Sequence, residues 1–177
     1  YAAKMSAYLK DSDCLHVNLE QELEDRALYI HNSRPGVSQI GGVNYEERID
    51  DAYLDQSRAD RAFRLETYRS SGTVSTSLKT QLRCYFVRKC DFVDPQAGKD
   101  CTDLLKVSDK AFLQKATKNT LDVYQSVMKT VLQRPGPVID IKDLVGKEKR
   151  LVLGYRQGGT CRFFSALSHL YHYYGLY

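Results

Sequence analysis

Apolar residues recur at intervals of three and four along most of this chain, separated by short polar breaks, a pattern that predicts a series of short amphipathic helices. Residues 2–9 place Met5, Tyr8 and Leu9 on one side as a helical lead-in. Residues 17–31 read as a longer helix, with Leu19, Leu23, Ala27 and Ile30 in one stripe and Glu20, Glu22, Glu24 and Asp25 loading its front, where acidic groups suit the helix dipole. Pro35, Gly36, Gly41 and Gly42 then mark a loop.

The most legible stretch is residues 45–72, which predicts a helical hairpin. Asn44 is an N-cap with Glu47 at capping-box spacing, followed by Ile49, Ala52 and Tyr53. After a break at Gln56, Ser57 and Arg58, a second stripe of Ala59, Ala62, Phe63, Leu65 and Tyr68 ends at Ser70, Ser71 and Gly72. Helices this short are marginal alone, below roughly 12 to 15 residues, and need neighbours. Residues 76–89 predict another helix on Leu78, Leu82, Tyr85 and Phe86, and residues 91–100, with Pro95 and Gly98, a surface loop. Ser108 or Asp109 caps a helix reaching Ala116; Asn119 or Thr120 begins a second that carries Leu121, Val123, Tyr124, Val127, Met128 and Val131 and stops at Arg134, Pro135, Gly136 and Pro137. Between 139 and 153, Ile139 and Ile141 alternate as in a strand while Leu144, Val145, Leu151 and Val152 suit helical turns; repeat context favours helix. Residues 160–174 form an aromatic-rich terminal helix.

Asp25, Arg26, Ala27 and Leu28 are echoed by Asp60, Arg61, Ala62 and Phe63, and each block runs on to a glycine turn. Helix pairs at a period in the mid-thirties indicate a helical solenoid. Residues 49–72 and 151–175 resemble pentatricopeptide repeats: a helix ending in tyrosine, a basic or glycine break, a second helix and a closing glycine. Residues 81–85, QLRCY, and 120–129, TLDVYQSVMK, resemble further repeat helices. The resemblance implies an all-α fold, a short right-handed solenoid of three to four hairpins near 43–72, 76–106, 108–136 and 140–176. Residues 2–32 supply N-terminal helices, and residues 1–177 a single domain.

With 177 residues, the chain is long enough to bury roughly 70% of its unfolded surface in one core. Its net charge of +4, from 26 basic and 22 acidic residues, is too dispersed to announce a nucleic-acid surface. No apolar run reaches membrane-spanning length, and the start at Tyr1 suggests a processed chain. Cys14, Cys84, Cys90, Cys101 and Cys161 contain no Cys-x-x-Cys pair; they are expected to be mostly buried thiols, with room for one loop-closing disulfide among Cys84, Cys90 and Cys101.

No catalytic constellation, metal site or cofactor is expected. His169 and His172 share a helix face without a companion ligand set, and His16 and His31 have no nucleophile nearby. Residues 154–159 hold three glycines but lack the Lys-Ser/Thr ending of a phosphate loop. Of the 13 tyrosines, Tyr53, Tyr85, Tyr155, Tyr171 and Tyr174 are expected in core or interface rather than stacked on bases.

What the resemblance implies for function is a non-enzymatic accessory subunit of a large mitochondrial assembly. It points most closely to the pentatricopeptide-type accessory subunits of euglenozoan mitochondrial F1-ATPase, in the matrix, attached to the alpha subunit of ATP synthase. Tyr173, Leu176 and Tyr177 are the interface candidates, beyond what one hairpin can bury. The alternative is an organellar RNA-binding protein serving transcript processing or the mitoribosome. Arg48, Thr80 and Arg150 would then stand at the base-reading positions, Glu47 replacing Arg48 if the register shifts by one.

Overall fold

The computed structural model describes residues 18–33, 44–58, 60–69, 81–146, 148–156 and 158–174. The expected helices at 2–9, the loop at 34–43, the hairpin end at 70–72 and the segment 76–80 lie outside the described residues. The chain folds as two compact units: one from residues 1–57, 62–89 and 162–177, the other from residues 58–61 and 90–161. No helix among the described residues is long and apolar enough to cross a membrane.

The first unit is built on a four-stranded antiparallel sheet, not on helical hairpins. Strands β1 (Asn18–Glu22), β2 (Arg26–Ser33), β3 (Phe63–Arg69) and β4 (Gln81–Lys89) lie in the order β1-β2-β4-β3. β4 runs antiparallel to both β2 and β3, so these two are mutually parallel on either side of it. Helix α1 (Tyr45–Ile49) and its π-helical continuation Asp50–Leu54 make the crossover between them, a split β-α-β arrangement. Helix α5 (Phe163–Tyr173) returns to this unit after the residues of the second.

An all-α solenoid is therefore excluded, and the reason for the misreading is local. β2 and β4 bury both faces: Ala27, Tyr29, Tyr85 and Val87 pack with Tyr45, Ile49, Tyr53 and Phe63, while Leu28, Ile30, Leu82 and Cys84 form a cluster on the opposite face. A strand buried on both sides loses its two-residue alternation and reads as a continuous apolar run. Leu19, Leu23, Ala27 and Ile30 merely happen to fall at helical spacing across a hairpin in which Leu19 pairs with Ile30 and Glu22 with Ala27. The repeated Asp-Arg-Ala phrase is real, but it leads into strands β2 and β3 rather than into helices.

The second unit carries helices α2 (Leu104–Val107), α3 (Lys110–Lys115) and α4 (Lys118–Gln133) and a hairpin of β5 (Val138–Asp143) and β6 (Lys149–Gly154). Residues 139–153 are thus the hairpin foreshadowed by the Ile139–Ile141 alternation, not helix. Val123, Val127 and Val131, one per helical turn of α4, pack on Val152 and Val138. Gly154 is set by this packing: a Cβ there would stand 2.6 Å from Val127 Cγ1 and 2.8 Å from Val131 Cγ2. Gln125 ties α2 to α4, its Oε1 accepting from Leu104 N and its Nε2 donating to the Thr102 carbonyl. Cys84, Cys90, Cys101 and Cys161 form no disulfide with one another, so none closes the 91–100 loop; of the four only Cys84 is buried, against the expectation of mostly buried thiols.

Candidate functional site

The chemically richest place in the first unit is a buried polar cluster where α1, α5 and the sheet meet. Glu46, on the inward side of α1, is only 3% exposed. Its Oε1 accepts from Tyr85 Oη at 2.5 Å, Arg83 Nη1 at 3.1 Å and Ser168 Oγ at 3.2 Å. Arg83 and Tyr85 alternate on β4 and so share a face, and Arg83 Nη1 also donates to Tyr85 Oη. Removing such an ion pair from water is favourable only when the remaining hydrogen bonds are filled, which the tyrosine and the serine do here. Burial, then the charge of Glu46, pushes the Tyr85 phenol far above its ordinary range, so it stays a donor.

Two buried histidines flank this pair. His31 stacks on Tyr45 with ring centroids 4.4 Å apart and places Nδ1 2.8 Å from the Asn32 carbonyl oxygen. His172 places Nδ1 2.7 Å from the Ser168 carbonyl oxygen. A carbonyl only accepts, so in both rings Nδ1 bears the proton and the neutral ring leaves Nε2 as a bare lone pair. Both Nε2 atoms are buried and without a partner among the described residues. Burial holds both imidazoles below their ordinary value. His169, on the same helix as His172, is exposed. No group of three His, Cys, Asp or Glu is disposed to hold a metal among the described residues.

A second set of carboxylates closes the N-terminus of α5. Ser165 N donates to Asp50 Oδ2 at 2.7 Å, and Arg162 N donates to Asp55 at 2.9 Å. The Arg162 guanidinium makes a two-pronged contact with Asp51, 3.0 and 2.9 Å, and reaches Glu47 Oε2 at 3.3 Å. Arg162 adopts the left-handed conformation, φ 52°, which costs a non-glycine residue on the order of 1–3 kcal/mol and persists only where neighbours over-determine it. Burial raises the Asp50 carboxyl above its ordinary value, a shift the Ser165 N–H opposes.

The residues singled out from the sequence fall elsewhere. Arg48 is not free to read a base: its guanidinium pairs with Glu20 at 2.9 Å and Glu22 at 2.7 Å on β1 and lies 5.7 Å from the Tyr29 ring centre. Arg150 stands on β6 opposite Lys142, in the other unit. Thr80, Leu176 and Tyr177 lie outside the described residues. Tyr173 is 77% exposed, edge-on to Tyr174. Tyr53 and Tyr85 are core residues, whereas Tyr155 is exposed. Sequence reasoning missed Glu46, Arg83 and Asp50; the available signal was Arg83 and Tyr85 at alternate positions opposite His31 and Tyr29 once the strands are paired.

The glycine-rich segment is no phosphate cradle. Gly154 is packed against two valines, and the N-terminus of α5 is occupied by carboxylates, whereas a dinucleotide pyrophosphate needs an open helix N-terminus after a glycine turn.

Comparison with known proteins supplies the rest. The family described as NAD-specific glutamate dehydrogenase, second domain, matches residues 17–177. The chain is 43% identical to an NAD-specific glutamate dehydrogenase of Neurospora crassa over 99% of its own length and 17% of the relative. It is 40% identical to a probable NAD-specific glutamate dehydrogenase of Schizosaccharomyces pombe, over 100% and 17%, and 30% identical to glutamate dehydrogenase 2 of Dictyostelium discoideum, over 100% and 21%. The chain thus spans 17% to 21% of the length of these relatives. No solved structure matches it. These matches overturn the pentatricopeptide resemblance and both functions it implied, the ATP synthase accessory subunit and the organellar RNA-binding protein. They also overturn the non-enzymatic assignment, since the relatives are named as dehydrogenases.

Proposed function

The chain belongs to the NAD-specific glutamate dehydrogenase family, matching its second domain, and from that premise we propose that it works as one domain of a larger polypeptide that oxidises glutamate with NAD as hydride acceptor. The observation that carries this reading is the family match across residues 17–177, supported by relatives at 43% and 40% identity named for that activity.

The described residues do not fit NAD. Among them every strand pairs antiparallel with its neighbours, without the adjacent parallel strands whose carboxyl ends cradle dinucleotides. A pyrophosphate at the start of α5 would meet Asp50 and Asp55, already bonded to the backbone N–H groups it would need. No step of hydride transfer is therefore assigned to these residues. Their part is architectural: the Glu46–Arg83 pair holds α1 on β4, and the Ser168 contact to Glu46 with the Asp50, Asp51 and Asp55 contacts holds α5 on α1 and its π-helical turn.

The test is an assay of the intact polypeptide that contains these residues, following NADH absorbance. Glutamate-dependent reduction of NAD, with NADP a much poorer acceptor, is the expected result. A polypeptide that reduced neither, or reduced NAD without regard to glutamate, would refute the reading.

A further inference from the structure

One end of the four-stranded sheet carries a row of three arginines. Arg26 on β2 stands directly opposite Arg88 on β4, and Arg88 stands directly opposite Arg64 on β3. Directly opposed residues share a face of an antiparallel sheet with Cβ atoms roughly 5 Å apart, a spacing at which like charges destabilise the pairing. Two carboxylates stand on either side, and both are engaged by the outer arginines. Asp25 accepts from Arg26 through both oxygens, Oδ1 from Nε at 3.0 Å and Oδ2 from Nη2 at 2.7 Å. Glu66 accepts from Arg64 on one oxygen and from Tyr68 Oη on the other, the latter at 2.8 Å. The central Arg88 is exposed, and its guanidinium has no hydrogen bond or ion pair among the described residues.

We propose that the row Arg26–Arg88–Arg64 is a binding site for a dianionic phosphoryl group, either free phosphate or the terminal phosphate of a phosphomonoester. A guanidinium grips two phosphate oxygens side by side, and Arg88 has its donors free to do so. A terminal phosphoryl group keeps a third oxygen and a second charge for a flanking arginine, whereas a carboxylate has two oxygens and a single charge. An anion seated there offsets the repulsion between the opposed arginines, which no carboxylate of the row relieves at Arg88. The phosphates of NAD are singly charged diesters, so this site is distinct from one for the dinucleotide, and the proposal does not rest on the dehydrogenase reading.

The experiment follows arginine modification by phenylglyoxal in the intact polypeptide, mapped by mass spectrometry at mildly alkaline pH and constant ionic strength. Inorganic phosphate and adenosine 5′-monophosphate are the probes, chloride is the control, and the exposed Arg134 is the internal reference. Slowing of Arg88 modification by at least about fivefold relative to Arg134, with either probe and not with chloride, is the expected result. Protection by phosphate assigns the free anion; protection by the monophosphate at lower concentration assigns an ester. Unchanged modification of Arg88 with both probes, or equal slowing by chloride, overturns the proposal. Glu66→Gln tests the row by a gain that misfolding does not produce. It keeps an acceptor for Tyr68 and releases Arg64 to the anion, so half-protection of Arg88 should need at least about threefold less of the protecting probe; an unchanged or higher requirement overturns the proposal.

Discussion

At the residue scale, the decisive side chain is Glu46. The local sequence marks Glu47 at capping-box spacing and not Glu46, yet Glu46 is the buried acceptor of three polar groups and Glu47 reaches Arg162 from the surface. Glu46→Ala would leave the largely buried Arg83 charge, 15% exposed, without its carboxylate, and should cost up to about 3 kcal/mol, read from the denaturant midpoint at unchanged slope; Glu47→Ala should stay within about 0.5 kcal/mol. A Glu46→Ala protein as stable as its parent would show that the cluster is ornamental. The two histidines give the molecule a pH dependence of definite sign. Burial holds His31 and His172 below their ordinary value, so below about pH 6.5 the unfolded chain takes up protons that the folded chain refuses. Their contribution is complete above that value and is lost as the pH falls toward the folded one. Asp50, whose carboxyl is raised, acts oppositely at lower pH: the folded state protonates first, and stability is regained as the pH descends toward about 3.9. Melting temperatures followed downward from about pH 7.5 should therefore begin to drop below about pH 6.5, and a His31→Asn/His172→Gln variant should show a flatter profile. An identical slope in that variant would assign the acid sensitivity to other groups.

At the element scale, helix beginnings were legible and strands were not. Asn44 accepts from Glu47 N at 3.1 Å, Asp109 accepts from Phe112 N at 3.0 Å, and Thr117 accepts from Thr120 N at 3.2 Å; the first cap was read from the residue types alone, the second as one of two candidates beside Ser108, and the third was placed late, at Asn119 or Thr120. The stop of α4 at Arg134 was legible too, its last carbonyls taken up by Arg156, whose Nη2 donates to the Leu132 oxygen at 2.6 Å. Gly154 belongs to this scale because its requirement comes from a helix lying on a strand. Gly154→Ala forces a methyl against two stiff, buried valines and should destabilise by about 1–3 kcal/mol. Gly98→Ala, with open space around it, should change stability by less than about 0.5 kcal/mol. Equal effects at the two sites would mean that α4 shifts away from the hairpin at little cost.

At the scale of the whole molecule, the proposed dehydrogenase reading predicts that the dinucleotide binds outside the described residues. In hydrogen exchange of the intact enzyme, saturating NAD should leave the start of α5 without added protection and protect segments outside these residues; slowed exchange at 163–166 would reverse the conclusion that carboxylates close that terminus. The amino-acid sequence by itself determined the cap at Asn44, the loop at 91–100 and the stop at Pro135–Gly136–Pro137, because each rests on hydrogen bonds or backbone preferences within a few residues. Only the tertiary structure decided that residues 18–22, 26–33, 63–69 and 81–89 are strands. A strand's hydrogen bonds go to a partner far away in sequence: Tyr29 meets Tyr85, and Leu65 meets Val87. Burial on both faces then erases the alternation that would have betrayed β2 and β4. The same holds for the polar cluster. Glu46, Arg83, Ser168 and the two histidines come from four separate stretches of chain, and their protonation states follow from the burial that folding imposes rather than from their immediate neighbours.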